Sequence, residues 1–140
     1  MKYYTLSPEV AGELGDRTEL DNTVHPPIVT HLHYQFSDWL GDELVESFPC
    51  FMISTTLGAA AVQAGLSGFV LADAETTLSL EAEELLEGET IPEFRWLQVT
   101  GQRAVDDFGL MADATLVVSE RALDVLRQGS LNNCDIEDYA

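Results

Sequence analysis

Apolar and polar residues alternate most regularly between residues 28 and 36, in the segment IVTHLHYQF. Side chains along a β-strand point alternately to its two faces, so this pattern predicts one continuous strand. Its first face would carry Ile28, Thr30, Leu32, Tyr34 and Phe36. Its second face would carry Val29, His31, His33 and Gln35. Because only one of these faces is mainly apolar, we expect the strand to lie in an antiparallel sheet.

The remaining apolar segments predict further strands and several short helices. Strands are expected at 2–6, 50–53, 68–78, 93–100 and 115–118, and a last extended piece in the tail. Helices are expected at 55–65, 79–88 and 120–129, where Ser54, Ser79 and Ser119 would cap the first turns. A helical turn capped by Asp38 is expected at 38–47, and loops are expected at 7–27 and 101–113.

These elements predict one α+β domain over residues 1–140. It would be a mostly antiparallel sheet, with the short helices at 55–65 and 120–129 on one face. A chain of 140 residues buries about two-thirds of its surface on folding, so its core needs no disulfides. Residues 1–37 would supply a strand, a long loop and a second strand, and residues 38–140 would supply the rest.

A candidate internal repeat relates two of the capped helices. When the chain is shifted by 65 residues, the segment 52–54 (MIS) lies on 117–119 (VVS). The same shift places Gln63 on Gln128, Leu66 on Leu131 and Asp73 on Asp138. Strand, serine cap and helix also recur without common origin, because serine accepts hydrogen bonds from the free amides of any first turn. The pattern therefore predicts two similar strand-helix-strand units and leaves their origin open.

Charge narrows the classes of partner. The chain has 25 acidic and 6 basic residues, for a formal net charge of −19. Such a chain would be repelled by nucleic acid phosphates and by anionic membranes, and it lacks an apolar run long enough to span a membrane. The N-terminus has no basic region followed by an apolar run, so we expect a cytoplasmic protein. Four explanations of the acidity remain: binding of a basic protein partner, binding of a cation, solubility, or adaptation to high salt.

Two groups of acids are candidate contacts for a basic partner. From Asp73 to Glu93 there are eight acids and no base, and the densest part holds Glu81, Glu83, Glu84, Glu87 and Glu89. The second group surrounds a tryptophan, a residue type common at interaction hot spots, and comprises Asp38, Trp39, Asp42, Glu43 and Glu46. The alternative interpretation of both groups is a solvated acidic face.

No motif for catalysis or for phosphate, calcium or zinc binding is present. Cys50 and Cys134 lie far apart in the sequence, and in a cytosolic chain both are expected as reduced thiols. His31 and His33 would share a strand face and could hold zinc, but no second pair of ligands follows at a typical spacing. The sequence therefore predicts no catalytic residue, no metal and no cofactor. Nothing in it indicates an oligomeric state.

Four segments in order resemble a bacterial family of small proteins grouped with the immunity proteins of polymorphic toxins. They are WLGDELVESFPCFMIST, AGLSGFVLADAE, PEFRWLQVTG and DDFGLMADATLVVSERALDVLRQGSLNNCDIEDY, which lie within residues 38–139. The resemblance implies a non-enzymatic protein that binds and neutralises a cognate toxin domain. The quoted motifs are structural, so the family contributes no catalytic residue.

Three hypotheses for function follow. The first is an immunity-type protein that neutralises a basic toxin through its acidic surface, since clustered acids accelerate association with a basic partner. The second is an acidic cytoplasmic adaptor, or a salt-adapted protein, without a toxin partner. The third is a small metal-binding protein that uses His31 and His33.

Overall fold

The computed structural model describes residues 2–86 and 90–139. These residues form thirteen β-strands and three short α-helices, which confirms the predicted α+β class and the single domain. In chain order they are β1 (Tyr3–Ser7), β2 (Gly12–Leu14), β3 (Glu19–Asp21), β4 (Ile28–His31), β5 (His33–Phe36), β6 (Leu44–Ser47), β7 (Cys50–Ser54), α1 (Thr55–Gln63), β8 (Phe69–Ala72), β9 (Glu75–Leu78), α2 (Leu80–Leu85), β10 (Phe94–Val99), β11 (Phe108–Leu110), β12 (Leu116–Ser119), α3 (Glu120–Leu126) and β13 (Asp135–Asp138).

The strands pair into three sheets and one two-stranded ribbon. Sheet I has the order β6-β7-β10-β8, sheet II has β11-β12-β1-β13, and sheet III has β2-β5-β9. Strands β3 and β4 form the ribbon. Among the paired strands of the described residues, β5 and β9 are parallel and every other pair is antiparallel. The expectation of a mostly antiparallel sheet is therefore confirmed.

Two hydrophobic clusters hold these layers together. The first joins sheets I and II to the helices α1 and α3, through residues such as Phe51, Leu57, Leu116 and Leu123. The second lies on the opposite side of sheet I, where Met52 and Trp96 pack against Tyr34 and Phe36 of sheet III. Sheet I is thus covered on both faces, which explains why all five residues of β7 are buried.

The predicted repeat is confirmed in the strand topology. In sheet I, the chain runs β6-β7-α1-β8, and β10 lies between β7 and β8. In sheet II, it runs β11-β12-α3-β13, and β1 lies between β12 and β13. The register agrees as well: Met52 lies opposite Trp96 and Trp96 opposite Ala72, while Val117 lies opposite Thr5 and Thr5 opposite Glu137. The shift of 65 residues thus relates β7 to β12 and β8 to β13.

The caps of the two repeated helices are equivalent too. The hydroxyl oxygen of Ser54 accepts a hydrogen bond from the Leu57 amide at 3.1 Å, and that of Ser119 accepts one from the Ala122 amide at 3.1 Å. Each serine satisfies an amide that has no partner within the helix, which is why both helices begin at these positions. Ser79 caps α2 in the same way, with the Ala82 amide.

One carboxylate in each repeat ties its own cap to the other repeat. Glu43 accepts from the Ser54 hydroxyl at 2.8 Å and from the Ser130 amide, in the loop after α3, at 2.9 Å. Asp107 accepts from the Ser119 hydroxyl at 2.7 Å and from the Ser67 amide, in the loop after α1, at 2.9 Å. The two acids therefore make reciprocal links between the repeats.

Several predicted boundaries are wrong. The strand expected at 28–36 is divided at Leu32, where the chain passes from the ribbon into sheet III. The strand expected at 68–78 divides in the same way at Asp73 and Ala74, between sheets I and III. The loops expected at 7–27 and 101–113 contain β2, β3 and β11. The helical turn expected at 38–47 is a loop followed by β6.

Candidate functional site

The helix α2 exposes its large apolar side chains instead of burying them. Leu80 is 80% exposed and Leu85 is 63% exposed, whereas the small residue Ala82 faces the core. A surface helix of a globular protein ordinarily turns its leucines inward. Departures of this kind from local sequence rules are expected at functional sites.

Carboxylates surround these leucines. Glu81, Glu83 and Glu84 are exposed on α2. Glu87 and Glu89, which belong to the same predicted group, lie outside the described residues. Apolar side chains with a charged surround are typical of protein interfaces, which have a hydrophobic centre and a polar rim.

Parallel pairing brings the two predicted acidic groups to the same end of sheet III. Phe36 at the end of β5 lies opposite Leu78 at the end of β9, and the Ser79 amide donates to the Phe36 carbonyl at 2.8 Å. The segment 37–40 and the helix α2 therefore leave the sheet side by side. We call the exposed side chains at this end the acidic end surface: Asp38, Leu40, Leu80, Glu81, Glu83, Glu84 and Leu85.

An open cleft of about 450 Å³ adjoins this surface. Its walls include Phe36, Leu78, Leu86 and Ile91, and Glu93 contributes a carboxylate. Three threonines also line the cleft: Thr76, Thr77 and Thr90. Apolar residues beside these hydroxyls and one acid suit a side chain with an apolar stem and a cationic end.

Trp39 is more buried, and makes more contacts within the protein, than the sequence suggested. Its indole N–H donates to the Asp42 carbonyl at 2.8 Å, and its ring lies edge-on to Phe94 with centroids 6.4 Å apart. The side chain is half-buried against the second hydrophobic cluster. Trp39 therefore supports the loop before β6, and Leu40 beside it is the exposed apolar residue.

Two acids of the Trp39 group have structural roles, and a third is partly buried. Asp42 is 0% exposed, and its carboxylate accepts from the amide of Asn133 at 2.8 Å and from its side-chain nitrogen at 3.1 Å. Glu43 links the two repeats, as described above. Glu46 is partly buried, and this burial raises its pKa to about 7. The predicted surface group around Trp39 is thus reduced to Asp38 and its exposed neighbour Leu40.

A residue that sequence reasoning missed shapes this loop. Glu9 is buried, and its two carboxylate oxygens accept from the amides of Leu40 at 2.6 Å and Asp42 at 3.2 Å. Burial raises the pKa of Glu9, although these two hydrogen bonds oppose that effect. No local pattern marks Glu9, because its partners lie more than 30 positions away in the chain.

The two histidines have different surroundings. His31 Nε2 lies 2.7 Å from Glu75 Oε1, and Arg17 Nε donates to Glu75 Oε2 at 2.6 Å, which lowers the pKa of Glu75. His33 is buried: its Nδ1 accepts from the Arg17 amide at 3.3 Å and its Nε2 lies 2.7 Å from Thr77 Oγ1. Within the described residues, no three His, Cys, Asp or Glu side chains are placed to share a metal ion.

The thiols are unsuited to nucleophilic chemistry. Cys50 and Cys134 are both free cysteines. Burial raises the pKa of each to about 12, so neither forms the reactive thiolate at neutral pH.

No known family model matches the chain, and a search of curated proteins gave no match either. Among the helices of residues 2–86 and 90–139, none has the length and apolar character needed to cross a membrane.

Proposed function

We propose that this chain is a non-enzymatic immunity-type protein that binds and neutralises a basic toxin domain through the acidic end surface. The observation that carries the proposal is the pair of solvent-exposed leucines, Leu80 and Leu85, set among the carboxylates of α2. The resemblance of residues 38–139 to immunity proteins supports the same class.

Acids and leucines would have separate roles in such a contact. Acids at the rim attract a basic partner over long range and mainly raise the association rate. Leucines that lose water at the centre of the interface mainly slow dissociation. Toxins that act on nucleic acids carry basic surfaces, because they bind phosphates. A chain with a net charge of −19 would be steered towards such a surface.

The biological test uses the protein encoded by the open reading frame next to this chain's gene. Expression of that protein by itself should arrest growth, and expression with this chain should restore it. Normal growth with the neighbouring protein, or failure of the pair to bind, would leave the acidic adaptor as the better hypothesis.

Neutralising the acids of α2 should slow association with this partner about tenfold at low salt. The variant is Glu81→Gln with Glu83→Gln and Glu84→Gln, which removes three charges and preserves side-chain shape. Stopped-flow kinetics at several ionic strengths measures the effect. The association rate of the variant should also depend less on salt than that of the parent.

The control removes three exposed acids elsewhere. Asp16→Asn, Glu120→Gln and Asp124→Asn lie in the turn before β3 and on α3 and change the net charge by the same amount. If this triple variant slows association as much as the α2 variant, total charge steers the partner and the acidic end surface is not the contact.

Truncating either exposed leucine should act on the dissociation rate. Leu80→Ala and Leu85→Ala should each raise it about tenfold, equivalent to about 1.4 kcal/mol, and leave association nearly unchanged. Surface plasmon resonance separates the two rates. The matched control is Val105→Ala, an exposed apolar side chain outside this surface, for which we expect parental kinetics.

A further inference from the structure

The longest segment without a charged residue builds two strands of sheet I, which lie on either side of β10, and the helix between them. From Ser47 to Ala72 there is no acid, base or histidine, although 22% of the chain is charged. This segment forms β7, α1 and β8. Much of it is solvent-exposed, including Thr56, Ala59 and Val62 on α1 and Val70 on β8. The strand β8 and the helix α1 are therefore uncharged within a strongly acidic chain. Charged side chains adjoin them: an ion pair of Asp73 with Arg95 beside the end of β8, and Arg121, which donates to the Ala64 and Gly65 carbonyls after α1.

Within the described residues, β8 is an edge strand that pairs with β10 on one side. The Thr100 amide donates to the Gly68 carbonyl at 2.8 Å. Because hydrogen-bonded pairs alternate along an antiparallel ladder, Val70 and Ala72 also bond towards β10. The backbone groups of Phe69 and Leu71 consequently point to the free side, where they can bond to another strand.

The equivalent edge in the other repeat is protected, and this one is not. The repeat relates Val70 to Asp135 and Ala72 to Glu137, both on β13. Charged side chains on an edge strand prevent pairing with further strands. Strand β13 has them, whereas β8 has Val70 and Ala72 at the same positions.

We propose that β8 pairs antiparallel with β8 of a second copy of this chain across a twofold axis. The two copies of sheet I would then form one continuous eight-stranded sheet, with both copies of α1 on the same face. Phe69 would exchange hydrogen bonds with Leu71 of the other copy. Val70 would lie on the axis, opposite its own equivalent, as a non-hydrogen-bonded pair.

Charge selects a second copy over a basic partner as the occupant. The edge and α1 offer no carboxylate between Ser47 and Ala72 to attract cations. Two chains of net charge −19 repel each other, so they can approach closely where charge is absent. It follows that added salt should strengthen the dimer by screening this repulsion. Toxin binding through the acidic end surface should respond in the opposite direction.

Sedimentation equilibrium of the full chain tests the proposal. We expect about twice the 15.4 kDa chain mass, with a dissociation constant that falls as ionic strength rises. Val70→Asp places two like charges on the axis and should give a monomer. Val10→Asp, at a residue 67% exposed on another part of the surface, should remain dimeric. A single-chain mass at every concentration and salt level would overturn the proposal.

Disulfide trapping gives a second test that does not depend on a disruptive variant. In a Cys134→Ser background, Val70→Cys should form a covalent dimer in oxidised glutathione, because directly opposite Cβ atoms lie about 4.5–5.5 Å apart. Val10→Cys is the control and should not. Equal slow cross-linking of both variants would contradict the geometry. A monomeric parent whose toxin binding is abolished by Val70→Asp would assign the edge to the toxin and refute the dimer.

Discussion

Replacing Asp107 with alanine should lower the free energy of unfolding by about 3 kcal/mol. The carboxylate is buried and joins three segments: the loop after α1 through Ser67, the cap of α3 through Ser119, and α3 itself through Arg121, whose guanidinium nitrogen lies 2.9 Å away. Alanine would leave these donors without their acceptor. We expect the lower end of the range for buried ion pairs, since Arg121 is half-exposed and can regain water.

Urea denaturation measures this loss, provided that the dependence on denaturant stays the same. The control is Asp124→Ala, an exposed position on the same helix α3, which should change stability by no more than about 0.5 kcal/mol. Asp107→Asn preserves the shape and one acceptor, so it should fall between the parent and the alanine variant. A cost below about 1 kcal/mol for Asp107→Ala would show that the link between the repeats is unimportant to the fold.

The stabilisation that the Asp107 carboxylate provides should depend on pH in a definite direction. Burial would raise the pKa of Asp107, but hydrogen bonds from Arg121, Ser119 and Ser67 outweigh it and hold the pKa below the ordinary value of 3.8. Because the pKa of this carboxyl group is lower in the folded state, its ionised form stabilises the fold at pH values above the pKa of the unfolded chain. This contribution is lost as the pH falls through the pKa of the folded state. The difference between parent and Asp107→Asn should therefore shrink in acid below about pH 3.8.

Local interactions explain which parts of the fold were predictable. The caps at Ser54, Ser79 and Ser119 depend on hydrogen bonds three residues away, so a serine before an apolar run is sufficient to locate them. The buried strand at 50–53 and the strand at 93–100 were recognisable because apolar or alternating runs ended at turn residues. For these strands the recognisable signal lies within the segment itself, although each strand forms by pairing with other segments.

Distant contacts explain the errors. Alternation runs through 28–36, but the chain changes sheets at Leu32, and Ile28 and Thr30 are exposed because they lie in the ribbon. The loop expected to be helical at 38–47 is shaped by Glu9, whose partners are far away in sequence. The repeat contained an unused signal: Leu44 in β6 and Phe108 in β11 occupy equivalent positions in the two sheets. Extending the repeat towards the N-terminus would have predicted β11.

Only part of the acidic end surface was predictable, because composition reveals charged residues and not their position in the fold. Composition located the acids of α2, since a run from Asp73 to Glu93 without a base requires no tertiary information. It did not separate exposed acids from buried ones, so Asp42 and Glu43 were grouped with Asp38 although both bond to the segment 130–133. Only the pairing of β5 with β9 shows that Asp38 and α2 lie at one end of the protein.

Glu46 makes the folded protein less stable as pH rises towards neutrality. It lies on β6 opposite Phe51 and on the same side of the strand as Leu44, so its carboxyl group faces the first hydrophobic cluster. Burial raises its pKa from 4.5 to about 7. Between these values the unfolded chain has released its proton and the folded chain retains it. The contribution of Glu46 to the stability of the parent should therefore fall from about pH 4.5 to pH 7 and then level off.

Glu46→Gln should remove this loss and raise the free energy of unfolding at pH 8 by about 2 kcal/mol. The full pKa shift of Glu46 would correspond to a larger free energy, at about 1.4 kcal/mol per pH unit. The effect is smaller because the carboxyl group is partly exposed and water screens its charge. Denaturation at pH 5 and pH 8 measures the effect, with Glu13→Gln, at an exposed position on β2, as the matched control. The control should keep the parental difference between the two pH values. If Glu46→Gln keeps it too, then another group causes the loss of stability, and Glu46 is ionised at neutral pH and available to a basic partner.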